Sequence, residues 1–480
     1  MTRALAAPLS IAGLALAASA ASVANGFAFD DVHIIATNPA VHSLTRWWEL
    51  FAQSYWPPEK SGELYRPFTM LSFAAQWALG GGSPLVFHLT SVLLYALTCS
   101  AFLWVAMAIV PLAAAWLAAA LFAVHPLHVE VVGNVVCQAE LWAALFMFVA
   151  LGVFLRARIR GFLSPADISV IVLSYGLGLL SKEHVIVLPL VLIAAELTVV
   201  PRTRALRVRV AELRPLFLMC AAGAIAYLWA RSGVLAQSRG IPPEVSPLFS
   251  GQPFGVRALT MLRVVLEWTR LFLWPARLSA DYSPRRIDLA TGLTVDMVVS
   301  VGIIALLLAV AWKARRSAPA VTFAVLWLAT AMLIPSNLVV VTGFVLAERT
   351  LFVASAPIML GVALAVTRLM AAPTMTPVAA RRGIFAAIAI VLAVGIVASG
   401  KRQRVWRDNT SLFPQMVRDA PTSYKARHLY AILLFEQGKR TEGLEQIRIA
   451  HQLFPADVAV LHYSGAQRAE GGQCHVATPI

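Results

Sequence analysis

The sequence GFAFDDVHIIATNPAVHSLTRWWELFAQSYWPPEKSGELYRPFTMLSFAAQWALGGGS, residues 26–83, is the first long polar segment of a chain that is otherwise strongly apolar. Apolar segments with the character of membrane spans flank it on both sides. It contains two adjacent acids, Asp30 and Asp31, in a chain with 24 acidic and 39 basic residues. Adjacent aspartates commonly form a turn or a helix cap, but the scarcity of acids also makes this pair a candidate functional site.

The composition indicates an integral membrane protein. Hydrophobic residues make up 59% of the chain and charged residues 13%, with a mean hydropathy of +0.75, whereas about a quarter of a soluble domain is charged. The net charge of +15 comes from short basic clusters between apolar segments, which is typical of cytoplasmic loops and argues against nucleic-acid binding. The four cysteines are far apart and indicate neither a disulfide framework nor a zinc site.

About eleven membrane spans are predicted, several of them shorter than the roughly 20 residues of a perpendicular helix. They are residues 4–23, 85–109, 112–124, 141–155, 168–180, 185–200, 216–230, 293–312, 321–341, 351–366 and 384–399. The first segment could also be a cleaved signal peptide. We favour an uncleaved helix, because the polar segment follows it without a spacer.

Basic clusters at residues 156–160, 202–214, 313–316 and 381–382 set the orientation. All four are cytoplasmic only if residues 256–273 do not cross the membrane. Charged and apolar residues alternate in that segment, VRALTMLRVVLEWTRLFL, which predicts a helix lying in the interface. The amino terminus is then cytoplasmic and the carboxyl terminus outside. The alanine, arginine and tryptophan content favours a bacterial inner membrane, with the carboxyl terminus in the periplasm.

The domain prediction is a transmembrane domain at residues 1–400, with residues 26–83 as its first extracytoplasmic loop, and an extracytoplasmic helical tail at residues 401–480. Within the tail, YKARHLYAILLFEQGKRTEGLEQIRIAHQLFP predicts two amphipathic helices broken at Gly438. This pair is similar to a tetratricopeptide repeat, whose period is about 34 residues. Tetratricopeptide repeats bury their core against neighbouring repeats. Because this tail is too short to supply such neighbours, we expect it to pack on the membrane domain or a partner. The last ten residues, 471–480, are expected to be frayed.

Short motifs occur in a characteristic order along the chain. They are FDD at residues 29–31, YRPFT at 65–69, FHL at 87–89, LFAVHPLHVE at 121–130, QAELWAALF at 138–146, SKEH at 181–184, LWPARLSADYS at 273–283, PSNL at 335–338 and AERTLF at 347–352. With the tail, this ordered set resembles the transmembrane and tetratricopeptide-repeat-containing O-mannosyltransferases and their bacterial relatives. Those enzymes belong to the GT-C group of glycosyltransferases, which use lipid-linked sugars. The resemblance covers nearly the whole chain.

The resemblance implies an all-α polytopic bundle of GT-C type and an enzyme of protein glycosylation. Its expected reaction transfers a sugar such as mannose from a polyprenyl-phosphate carrier to an acceptor hydroxyl, that of a protein Ser or Thr, on the periplasmic or luminal face. The expected partners are the bilayer, the lipid-linked donor and a protein acceptor recruited by the tail. Gln138 stands where relatives usually have an arginine, which leaves the identity of the sugar open.

Such a transfer requires a carboxylate base near the acceptor and cations near the leaving phosphate. In an extended segment neighbouring side chains point to opposite sides, so only one of the two aspartates can face the cleft. The resemblance favours Asp30 as the base, with Asp31 orienting the loop or the acceptor.

The extracytoplasmic loops carry further ionisable residues, which near a membrane are candidates for a site. The candidates for binding the donor phosphate or the substrate are Arg66, His125, His128, Glu130, Glu140, Lys182, Glu183, Asp281, Tyr282, Glu348 and Arg349. Lys182 precedes Glu183, and Arg349 follows Glu348. These two cations therefore either bind phosphate or form ion pairs that anchor span ends. The pair at 281–282 either shapes the acceptor or lipid entrance or forms a turn.

A metal site is not predicted, and no cofactor is expected apart from the polyprenyl-phosphate sugar as donor substrate. His125, His128 and Glu130 include common metal ligands, but their spacing is a weak motif. We interpret them as hydrogen-bonding residues of the donor pocket, or as structural residues, and leave dependence on a divalent metal open.

Two other classes of function remain as alternatives. A transporter or flippase predicts paired charges deep within spans and inverted internal repeats, and the sequence has neither pattern. A membrane-anchored scaffold, with the tail as its working part, leaves the extracytoplasmic charges unexplained. Such a scaffold would tolerate the loss of Asp30, whereas the enzyme would not.

Overall fold

The computed structural model describes residues 2–58, 64–237, 248–283, 286–372, 378–455 and 460. These residues form α-helices joined by connections that range from short turns to long irregular segments, and no strand occurs among them. The helices are α1 (Thr2–Ser19), α2 (Pro67–Gly80), α3 (Pro84–Ala106), α4 (Leu112–Ala123), α5 (Val129–Gly133), α6 (Gln138–Arg160), α7 (Pro165–Ser181), α8 (Leu188–Thr198), α9 (Leu206–Ala236), α10 (Phe254–Leu273), α11 (Val295–Ser317), α12 (Pro319–Ala331), α13 (Phe352–Ala371), α14 (Val378–Gln403), α15 (Asn409–Asp419), α16 (Tyr424–Glu436) and α17 (Arg440–Leu453).

A helix coincides with each of the eleven predicted spans, but their lengths differ. In the described part of the chain seven helices are long and apolar enough to cross a membrane, and α4 with α5, bent by 51° at their break, would make an eighth. Helix α8 has 11 residues and is only about 17 Å long, against the roughly 30 Å of a hydrocarbon core. The protein is therefore an all-α polytopic membrane protein, as predicted, with seven or eight full-length spans and shorter apolar helices packed among them.

The centre of the bundle is formed by α3, α4 and α6, whose small residues permit close packing. Helix α4 has the sequence LAAAWLAAALFA and is largely buried. At Gly152 of α6 an added Cβ would lie 2.1 Å from the Trp104 ring of α3, so only glycine fits there. By contrast, only 17% of the most apolar part of α11 and 11% of that of α14 is buried. These two helices present their apolar surface to lipid.

Residues 256–273 form most of α10, the helix that the charge pattern predicts to lie in the interface. One side of α10 is buried through Met261, Val264 and Leu271, which pack with Tyr282 and Leu351. Three of its charged residues, Arg263, Glu267 and Arg270, are partly exposed and form the ion pairs Arg263–Asp296 at 2.9 Å and Arg270–Glu267 at 2.6 Å. The fourth, Arg257, has its Nε buried without a hydrogen-bond partner among the described residues. The separation of the first three from the buried side supports the interfacial prediction.

Helix α2 lies inside the segment that the sequence interpretation treated as a loop. It begins with Pro67 in its first turn and ends at Gly81, whose φ is 57°. Both signals are typical of helix ends. Phe73 and Met70 of α2 pack with Ile34, Ile35 and other residues of the loop, so α2 gives the segment at residues 26–83 a core of its own.

The tail contains α15, α16 and α17. Helices α16 and α17 pack together across the turn at Gly438, whose φ is 75°, at the predicted break. An added Cβ at Gly443 of α17 would lie 2.5 Å from the Phe435 ring of α16, which shows how closely the two helices approach. The predicted frayed end at residues 471–480 lies outside the described residues.

Candidate active site

The acid pair lies near the start of the segment between α1 and α2, and its two carboxyl groups have different surroundings. Asp31 is fully buried. Its carboxylate accepts hydrogen bonds from the backbone N–H groups of Val136 at 2.8 Å, Val135 at 3.2 Å and Ala28 at 3.4 Å. Asp30 is half-buried. Asp31 therefore ties the acid-pair loop to the turn before α6, and Asp30 is the acid with access to solvent.

The residue before the pair has an unusual backbone conformation. Phe29 has φ 56°, a left-handed conformation that costs a non-glycine residue of the order of 1–3 kcal/mol. Its N–H donates to Asn409 Oδ1 at 2.7 Å, and its ring packs edge-on against Phe413 with centroids 6.4 Å apart. Both partners lie on α15, so the tail holds the acid-pair loop directly.

Three ion pairs lie in the interior beside this loop. Glu130 binds Arg349 twice, through Nη1 at 2.5 Å and through the backbone N–H at 2.9 Å. Glu183 binds Arg66 through Nη2 at 2.7 Å and Nε at 3.1 Å. Glu140 pairs with Lys182.

The sequence left open whether Lys182 and Arg349 form local or interhelical ion pairs, and the structure has pairs between separate elements. Neither Lys182 nor Arg349 pairs with the acid next to it in sequence; both pair with acids on other elements. Each cation sits at the start of a 3-10 turn that leads into a helix, where neighbouring side chains diverge. Burial opposes ionisation of Glu183, but the charge of Arg66 outweighs it and lowers the pKa of that carboxyl.

An electrostatic interaction joins one of these pairs to the acid-pair loop. Arg349 interacts with the charge of Asp30 as well as that of Glu130. Cys137, which sequence reasoning did not single out, interacts with Arg349, Glu130, Lys182 and Glu140. Glu140 also has His184 Nδ1 at 3.5 Å. The candidates from four different loops therefore form one cluster around the turn that precedes α6.

Glu348, Tyr282 and Asp281 form a second, adjoining group. Glu348 is buried and accepts hydrogen bonds from the Tyr282 hydroxyl at 2.7 Å and from Ser279 N–H at 2.6 Å. Asp281 closes a turn by accepting from Ser283 N–H at 2.9 Å, and it accepts from Ser423 Oγ of the tail at 2.5 Å. Asp281 therefore forms the turn that the sequence left as one alternative, and it also anchors the tail.

The two histidines are placed within the protein core. His128 contacts Ser355 Oγ through Nε2 at 2.8 Å and the Tyr95 hydroxyl through Nδ1 at 3.0 Å. His125 contacts Phe272 O through Nε2 at 3.1 Å and Leu127 N–H through Nδ1 at 3.3 Å. In the described residues no three His, Cys, Asp or Glu side chains are grouped to hold a metal ion. Both nitrogens of each ring therefore have a hydrogen-bond contact within the protein.

Gln138, where relatives usually have an arginine, is completely buried. Its amide exchanges hydrogen bonds of 2.9 and 3.0 Å with Gln76 and donates to Phe87 O at 3.0 Å and Ser91 Oγ at 3.1 Å. These partners are neutral, and a buried arginine without a counter-charge would be costly. The substitution is therefore accommodated by an uncharged network.

The surroundings of Asp31 predict a pH dependence of stability. Burial raises the pKa of this carboxyl from 3.8 to about 7, against the opposing effect of its three N–H donors. The folded state then holds a proton that the unfolded state releases, so the contribution of Asp31 to stability is greatest below pH 3.8. It is lost as the pH rises through about 7, by up to about 1.4 kcal/mol per pH unit.

Denaturant unfolding of the wild type and of Asp31→Asn at pH 5, 6 and 7 measures this effect. The substituted protein is expected to be less stable at every pH, because an amide cannot accept three hydrogen bonds, but to lack the wild-type decline. If the free energy of unfolding falls equally with pH in the two proteins, the pH dependence does not arise from Asp31.

Comparison with known proteins places this site in context. No family model matches the chain. Protein O-mannosyl-transferase TMTC1 of Homo sapiens is 26% identical over 501 aligned positions, which cover 95% of this chain and 56% of the relative. Protein O-mannosyl-transferase F38B6.6 of Caenorhabditis elegans is 24% identical over 439 positions, covering 90% of this chain and 60% of the relative. Protein O-mannosyl-transferase TMTC3 of Homo sapiens is 34% identical over 137 residues, which are 28% of this chain and 15% of the relative.

Among solved structures, ArnT from Cupriavidus metallidurans bound to undecaprenyl phosphate superposes with a TM-score of 0.47 and 15% sequence identity, covering 97% of this chain and 78% of that chain. The chain spans little more than half the length of the curated relatives that match it end to end. Over nearly all of its own length it is similar to the transmembrane and tetratricopeptide-repeat-containing O-mannosyltransferases, and the resemblance predicted from its ordered motifs is confirmed.

Proposed function

We propose that the protein is a membrane glycosyltransferase of GT-C type that transfers a sugar from a polyprenyl-phosphate carrier to the hydroxyl of a protein Ser or Thr. The observation that carries this proposal is the grouping of a half-buried carboxylate, Asp30, with cations held in buried ion pairs. The curated relatives that align with this chain are O-mannosyl-transferases, which supports the reaction class and makes mannose the first sugar to test.

In the proposed reaction Asp30 is the base. The acceptor oxygen forms a bond to the anomeric carbon as its proton passes to the Asp30 carboxylate. The bond from that carbon to the phosphate oxygen breaks, and its electron pair leaves with the polyprenyl phosphate. A base positioned in this way contributes about 10²–10⁴-fold to a rate. Asp31 cannot reach the acceptor, because its carboxyl is fully buried and bonded to the backbone.

Arg349 is the best placed cation for the leaving phosphate. Glu130 engages its side chain through Nη1, and a guanidinium has five N–H donors in a fixed fork, so other donors of the fork can face a phosphate oxygen. The carboxylate partner holds the fork in place before the charge develops, which is how preorganised donors stabilise a transition state. Arg66 has both Nε and Nη2 on Glu183, so its role is to hold the loop.

The proposed orientation has the amino terminus in the cytoplasm and the tail in the periplasm of a bacterial inner membrane. Basic residues of the first two predicted cytoplasmic clusters support it. Arg209 and Arg158 both bind the buried Glu196, each at 2.8 Å. These three residues form an ion network that is separate from the candidate active site. Excess arginine next to spans is typical of the cytoplasmic side.

The test is sugar transfer by the purified full chain in lipid nanodiscs. A panel of radiolabelled polyprenyl-phosphate monosaccharides is offered with Ser- and Thr-containing acceptor peptides, and the same peptides with alanine at those positions serve as the control. We expect label in the hydroxyl-containing peptides with at least one donor. If the folded protein neither binds nor turns over any donor, the scaffold alternative replaces this proposal.

A further inference from the structure

The tail is packed against the acid-pair loop at several points. The N–H of Gly26 donates to Arg407 O at 2.8 Å, and Asn25 Nδ2 donates to Gln403 O at 2.9 Å. Trp406, Phe413 and other tail residues form a buried cluster with Ala28 of the loop and Val129 of α5. The loop thus lies between the tail on one side and the turn before α6 on the other.

Asn409 contacts Phe29, the residue with the strained backbone, directly. A backbone N–H can only donate, so the hydrogen bond from Phe29 N–H at 2.7 Å fixes which end of the Asn409 amide faces the loop. Asn409 is the first residue of α15, whose cap is Asp408 bonded to Ser411 N–H at 2.8 Å. A capped helix therefore presents the acceptor at a fixed position.

We propose that Asn409 and Phe413 are positioning residues that keep Phe29 left-handed and thereby aim Asp30 at the reacting atoms. This inference rests on the proposed function, in which Asp30 is the base. Left-handed backbone is unfavourable for phenylalanine, so it persists only where neighbours enforce it. Asp31 anchors the loop on the far side through Val135 and Val136. If the tail contact is lost, the backbone relaxes at Phe29 and Asp30 turns relative to its anchored neighbour.

The consequence is that the tail takes part in the reaction besides any role in recruiting an acceptor. Asn409→Ala is expected to lower kcat for sugar transfer at least tenfold, with the KM for the donor within twofold of wild type. Asn409→Asp keeps an oxygen acceptor and is expected to retain kcat within threefold. Thr410→Ala is the matched control, because Thr410 is exposed and bonds only within the helix cap, to Asp408 Oδ1 at 2.6 Å.

Hydrogen–deuterium exchange of the wild type and the three variants gives a readout that does not need activity. In Asn409→Ala, amides of residues 26–36 are expected to exchange at least tenfold faster, while those of α3 and α6 are unchanged. Thr410→Ala is expected to match the wild type throughout. Unchanged exchange and unchanged kcat in Asn409→Ala would overturn the inference.

The outcomes separate this inference from the proposed function. A wild type that transfers no sugar overturns the proposed function, and the exchange data then decide whether the tail holds the loop. A loss of kcat in Asn409→Ala that Asn409→Asp does not restore, or a general increase in exchange across the membrane domain, indicates lost folding and also overturns the positioning role.

Discussion

Replacing Asp30 with asparagine is expected to lower kcat for sugar transfer by about 10²–10⁴-fold without a change in the midpoint of unfolding. Asparagine has the same shape but cannot take the acceptor proton. Because Asp30 is only half-buried, the exchange of carboxylate for amide costs little folding energy. Single-turnover transfer from the best donor of the panel, measured alongside donor binding, separates loss of the chemical step from loss of binding.

The matched control is Glu49→Gln, which removes another half-buried acid from the same segment between α1 and α2, where Glu49 pairs with Arg46 at 3.3 Å. This variant is expected to transfer sugar like the wild type. Asp31→Asn makes the complementary comparison, because its effect is expected on stability as well as on rate. An Asp30→Asn protein that keeps a third or more of the wild-type kcat would show that Asp30 is not the base.

Removal of Glu130 is expected to have the largest effect on stability. Glu130 is 2% exposed and neutralises Arg349 while also accepting its backbone N–H. In Glu130→Ala the guanidinium of Arg349, whose side chain is only 21% exposed, loses its counter-charge, which costs up to about 3–5 kcal/mol. Denaturant unfolding in a defined detergent measures the loss.

A double substitution tests whether the lost stability is due to the unpaired charge of Arg349. Glu130→Ala combined with Arg349→Met removes both charges, so part of the lost stability is expected to return. Glu49→Ala, which breaks an exposed ion pair, is expected to cost less than about 1 kcal/mol. If the double variant is no more stable than Glu130→Ala, the loss arises from the cavity rather than from the uncompensated charge.

Helix α10 is an element that local sequence information was sufficient to predict. Residues 256–273 are apolar enough to suggest a span, but their arginines and the parity of the basic clusters predict a helix in the interface. The structure contains α10 there, with apolar residues buried on one side. Both the periodicity and the charge pattern are properties of a short segment, so they can be recognised from the sequence without knowledge of the fold. The same holds for the break between α16 and α17 at Gly438, where glycine allows a positive φ.

The ion pairs show where local information ends. The sequence places Lys182 beside Glu183 and Arg349 beside Glu348, yet the partners are Glu140, 42 residues away, and Glu130, 219 residues away. A side chain's partner depends on which helices pack together and on the direction in which each turn points. Neither is encoded in the spacing of charges along the chain.

What the sequence determined by itself is the class of protein, the positions of the apolar helices, the helical tail and the residue types of the site, because hydropathy, periodicity and motif order are local properties. What only the tertiary structure decided is which acid is buried, which cation each acid holds, and that Asn409, 380 residues from Phe29, supports the loop. Those outcomes follow from long-range packing. The desolvation of Asp31 and the strained backbone at Phe29 exist only once the turn before α6 and the first helix of the tail enclose the loop.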